Sequence, residues 1–88
     1  MTKDDENHRA SLLIDEEIPP AGEMRKFVIG PFGTKEVPRL EKRYSNVFPP
    51  KSLICNVMRL DEDGGYKLVY LFQNYSNRPV KVTLRRLA

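Results

Sequence analysis

The single histidine, His8, and the single cysteine, Cys55, are the residues on which nucleophilic or metal chemistry in this 88-residue chain would have to rest. A nucleophile needs a base held beside it, and His8 sits in a stretch, Met1 to Ala10, with almost nothing apolar to order it. Cys55 lies between Ile54 and Val57 in an apolar run, where a free cysteine behaves as a small hydrophobe. A zinc site takes about four Cys, His or carboxylate ligands, so one of each falls short. Asp61-Glu62-Asp63 has the spacing that opens an oxygen-rich calcium loop, but the later ligands are missing and Tyr66 begins a strand, so the segment reads as a solvated turn. Asp15-Glu16-Glu17 likewise reads as surface. Gly30-Pro31-Phe32-Gly33 is too short to cradle phosphate and reads as a turn that tucks Phe32 onto the core. Asn74-Tyr75-Ser76 matches the N-glycosylation triplet, a match expected to be accidental. No catalytic, metal or cofactor set emerges, and the expectation is a non-enzymatic protein with no small-molecule substrate.

The elements that must position the remaining side chains are short and β-rich. Runs of Val, Ile, Leu, Phe and Tyr are bounded by Pro, Gly, Asn and Asp, the punctuation of strands, and seven prolines break every window of helical length. Leu53–Leu60 and Tyr66–Gln73 flank a glycine-containing loop and predict a hairpin. Val80–Leu87 predicts a third strand that completes a C-terminal three-strand meander, its half-exposed alternation fitting an edge. In Tyr66–Gln73, Tyr66, Leu68, Tyr70 and Phe72 alternate with Lys67, Val69, Leu71 and Gln73, so the strand is central and covered on each side, or covered by a partner. Upstream, Glu23–Ile29 and a segment around Arg39–Tyr44 read as strands, while Ser11–Ile18 fits a strand or a helical turn. The fold class is all-β: a small antiparallel β-sandwich or partly open barrel at 11–88, preceded by a disordered acidic tail at 1–10.

Charge divides along the chain. Residues 1–23 hold seven acids against two bases, a net −5; the remainder holds thirteen bases against five acids, a net +8. Such a division fits an acidic arm lying against a basic body, or a basic body that meets polyanions, and counting alone selects neither; in the assembly reading below the arm is available to a basic surface on a neighbour. With no apolar run long enough to span a bilayer, no export segment and one unpaired cysteine, the chain is expected in the cytoplasm, without a membrane partner, or inside a particle.

Two functions remain. The leading expectation is a module for protein interaction or assembly, by self-association as a homo-oligomer or as an accessory component of a larger complex such as a phage particle. It rests on the modest core of so short a chain and on strands apolar on two sides, with Tyr44, Val47, Phe48, Val69 and Leu71 as the contact residues. The alternative is a nucleic-acid-binding small barrel using Lys42, Arg43, Tyr44, Lys51, Arg85 and Arg86, since a charged groove with aromatic platforms is what single strands require.

Overall fold

A computed structural model describes residues 12–45, 47, 49 and 51–87. Six strands form: β1 (Leu12–Ile18), β2 (Met24–Gly33), β3 (Arg39–Tyr44), β4 (Leu53–Glu62), β5 (Gly65–Asn74) and β6 (Val80–Leu87). They make two antiparallel three-strand sheets, one ordered β1-β6-β3 and the other β2-β5-β4, here called sheets A and B. The architecture is a small open β-sandwich, not a closed barrel. The body measures 39 × 37 × 16 Å, so both sheets keep one face toward solvent.

β5 is central in sheet B because every second residue is a large apolar group. Tyr66, Tyr70 and Phe72 are buried, and Phe72 stacks near Tyr70 at 6.2 Å and meets the edge of Phe27 at 5.9 Å. The opposing layer is aliphatic: Val80, Val82 and Leu84 of β6 with Ile14 and Ile18 of β1. Interlocking aromatic and aliphatic layers of this kind fill the space between two sheets. Asp63 and Gly64 close the β4–β5 hairpin, Gly64 taking a φ of +81° that a side chain resists.

Four expectations change. Val80–Leu87 does not complete a meander beside β5 and is no edge; it crosses to the other sheet and becomes the centre of sheet A, between β1 and β3. The crossing is fixed by Asn74, fully buried, whose Nδ2 donates to the carbonyls of Ile18 (2.9 Å) and Arg78 (2.7 Å) while its Oδ1 accepts from the Ser76 amide and hydroxyl. That network also occupies the amide of the Asn-Tyr-Ser triplet. Gly30 to Gly33 is not a turn but the end of β2, where a bulge between Ile29 and Phe32 restores pairing with Tyr66 and still buries Phe32. Third, Asp15, Glu16 and Glu17 belong to strand β1, so three of the acids assigned to an arm are part of the sandwich. Finally, the fold covers central β5 on one side only, since among the described residues no third layer lies over its outward face, which leaves cover by a partner as the remaining alternative. The tail at 1–10 and Phe48 lie outside the described residues, as does His8. Among the described residues no helix is long and apolar enough to cross a membrane.

Candidate interaction surface

Side chains directly paired across an antiparallel ladder share a face, so the registers of sheet B list its outward surface. Val69 pairs with Val28 and Met58, Leu71 with Lys26 and Asn56, Gln73 with Met24 and Ile54, and Lys67 with Leu60. Around the central Val69, which is only 8% exposed, stand Met24 (54%), Val28 (51%), Ile54 (41%), Met58 (52%) and Leu60 (51%). Lys26, Asn56, Lys67 and Gln73 interrupt the apolar set. Lys67 is tied to Glu62 at 3.2 Å, and Asn56 and Gln73 carry no charge.

Sheet A turns the opposite chemistry outward. Its outward registers bring Asp15, Glu17, Lys81, Thr83, Arg85, Glu41 and Arg43 together, with Lys81 bonded to Asp15 at 3.2 Å and Arg43 to Glu41 at 3.0 Å. Arg43, Tyr44, Ser45, Lys81 and Thr83 border a shallow depression of about 320 Å³.

The inward side of β4 overhangs sheet A. Leu53 and Cys55 are half-buried against the core, but Val57 is exposed, and the Arg59 guanidinium lies 3.9 Å from the Tyr66 ring centre. At this overhang Lys42 Nζ lies 3.3 Å from Cys55 Sγ. Burial alone would lower the Lys42 pKa, yet its contacts with Tyr44 and Cys55 outweigh that and hold it above the usual lysine value. Burial also pushes the Tyr44 and Tyr70 phenols upward. Lysine cation and neutral phenols are the stable forms at neutral pH, so the group offers no proton acceptor from these three.

Of the contact residues read from the sequence, Val69 and Leu71 lie together at the centre of the sheet B face. Tyr44 shares the inward face of sheet A with Val82, and Val47 packs on the core, so neither joins that surface. The basic residues are likewise divided. Lys42 faces inward, Arg43 and Arg85 outward on sheet A, and Arg86 bonds Glu36 and rests over Phe32 at 5.5 Å. Met24, Val28, Ile54, Met58 and Leu60 went unread in the sequence. The available signal was the alternation Ile54, Asn56, Met58, Leu60, visible only once the opposite set is known to face inward. Among the described residues no three of His, Cys, Asp and Glu gather to hold a metal ion. Compared with protein-family models, curated proteins and solved structures, the chain matches none.

Proposed function

We propose that this chain is a non-enzymatic β module that works by protein contact, docking an apolar surface of a partner protein on the outward face of sheet B. One observation carries the reading: five large apolar side chains stand half exposed around Val69 and Leu71 on one face, while the other outward face is laced with ion pairs. Soluble monomers rarely leave such contiguous apolar surface in water, and where they do it marks an interaction site. The hydrophobic term favours covering it at roughly 25 cal/mol per Å². Lys26 and Lys67 at the margins give the polar rim that such contacts carry.

A photo-crosslinking side chain placed at Val28, compared with one at Thr83 on sheet A, tests the proposal in cells of the source. Discrete protein adducts at Val28 that disappear when Met24 and Met58 are changed to Lys are the expected result. Equal adducts at both positions, or adducts indifferent to the lysines, overturn it.

A further inference from the structure

Each sheet has two edge strands, and exposed edges pair with other chains unless something prevents it. Three of the four carry such devices. β1 is acidic and has a register shift between Leu12 and Ile14; β2 has Arg25, Lys26 and a bulge between Ile29 and Phe32; β3 is six residues long, follows Pro38 and carries Arg39, Lys42 and Arg43. β4 has none of these from Leu53 to Met58. It runs ten residues without a register shift, uncharged over that span and apolar on both faces.

We propose that β4 is the edge through which two copies of this chain join, antiparallel about a two-fold axis at Val57, to form one continuous six-stranded sheet. The backbone phase permits it. The Tyr75 amide donates to the Ser52 carbonyl at 2.8 Å, and the unbroken register carries that phase along β4. Even-numbered residues therefore turn their N–H and C=O toward β5, and Leu53, Cys55, Val57, Arg59 and Asp61 turn theirs to the open edge.

The side chains narrow the register. Centred on Val57, the pairing sets Val57 against its own copy, Cys55 against the copy's Arg59, Leu53 against Asp61, and on the outward face Ile54 against Leu60 and Asn56 against Met58. No like charges meet. A centre at Arg59 opposes two arginines, and a centre at Cys55 opposes Arg59 to Lys51. Like charges directly opposite are destabilising, so the two-fold is confined to residues 56–58, with Val57 at the middle of that range.

Area gives a second argument, which rests on the docking reading above. Three strands about 4.8 Å apart and about 3.4 Å per residue make one sheet B face roughly 500 Å², short of the roughly 800 Å² per partner of a stable interface. Two copies joined along β4 present about 1,000 Å² of continuous sheet face.

Sedimentation of the full chain at micromolar to millimolar concentrations tests the pairing. The expected mass is twice that of the chain. Val57→Pro removes an N–H that β5 does not use, a position where an edge strand tolerates proline, and should return the mass to that of one chain with the strand circular-dichroism signal intact. Val57→Lys, which sets two cations face to face, is the second variant and should do the same without altering the backbone. A wild-type chain that stays single over the whole range overturns the proposal, as does a doubled mass that survives both variants. Met24→Lys separates the two readings, because Met24 is on β2, two strands from the edge. It should leave the mass doubled while weakening adduct formation at Val28; a mass halved by Met24→Lys and not by Val57→Lys means the copies pack face to face and the edge is not their contact.

Discussion

Val69 and Thr83 hold corresponding places, each near the middle of the central strand of its sheet and each turned outward, yet Val69 is flanked by Val28 and Met58 and Thr83 by Asp15 and Arg43. Both sheets solve the inward problem in the same way, with alternating apolar residues that bury Phe72 on one side and Val82 on the other. They diverge where folding makes no demand. A face that only met water would be expected to follow sheet A, whose ion pairs are each worth little but keep the surface wet and unassociated. Sheet B keeps aliphatic side chains at positions that the core does not use, and the contact proposed for them supplies a reason that lies outside the isolated fold.

The sharpest way to break this comparison is to place the same charge on both faces. Val69→Asp buries a carboxylate between Val28 and Met58 and should cost about 3 kcal/mol in urea unfolding; Thr83→Asp, half-buried with Arg43 opposite on one side and Asp15 on the other, gains one charge partner against one repulsion and should cost no more than about 1 kcal/mol. Equal costs would mean that the two faces do not differ in the way their residues imply.

Next in size is the joint that keeps the faces on opposite sides. Asn74→Ala leaves the Ile18 carbonyl without its buried amide donor and the Arg78 carbonyl with the Ser76 hydroxyl alone, and losing such a partner should lower stability by about 2 kcal/mol. Ser76→Ala, which removes a hydroxyl that donates to Asn74 and leaves the amide in place, should cost less; the reverse order would show that Asn74 is not the organising residue. Smaller still is the effect on stability of Met24→Lys with Met58→Lys. Both side chains are more than half exposed, so the pair should change unfolding by under about 1 kcal/mol while removing adducts at Val28. A large loss of stability would make these residues part of the core and not of a docking face.

Local alternation in the sequence carries the strands and much of the core, including β5 with its inward Tyr66, Leu68, Tyr70 and Phe72. Sheet membership is a different kind of fact. Val80–Leu87 reads the same whether it pairs with β5 or crosses to lie between β1 and β3, because Val80, Val82 and Leu84 need only an apolar layer opposite. Asn74, which decides the matter, looks like any turn asparagine until Ile18 is brought to it from 56 residues away. The punctuation at Gly30 to Gly33 is ambiguous for a related reason: glycine and proline mark bulges as well as turns. The outward face of sheet B was half legible, through Val69 and Leu71. The rest stayed hidden since Met24, Val28, Ile54, Met58 and Leu60 resemble core residues, and only pairing shows that the core lies on the other side of them.

A second, exposed joint offers the finest test of how the sheets are held together. Glu36, in the connection from β2 to β3, accepts from the Gly33 amide at 2.9 Å and from Arg86 of β6, while its own carbonyl accepts from the Tyr66 hydroxyl at 2.5 Å, so one residue links sheet A to sheet B. The Gly33 hydrogen bond first, and the Arg86 guanidinium second, hold the Glu36 carboxyl below its ordinary value of 4.5. A depressed carboxylate pKa adds stability that is present above the unfolded value and is lost as pH falls through the folded one. Glu36→Gln should therefore leave the Asn74 joint untouched, lower the melting temperature slightly at neutral pH, and show a shallower decline in melting temperature than the wild type as pH is taken below 4.5. Because this carboxylate is reached by solvent, added salt should shrink the difference between the two proteins, whereas the deficit of Asn74→Ala should persist in salt. Parallel melting curves for Glu36→Gln and wild type throughout the acid range would place the linkage between the sheets in the buried joint alone.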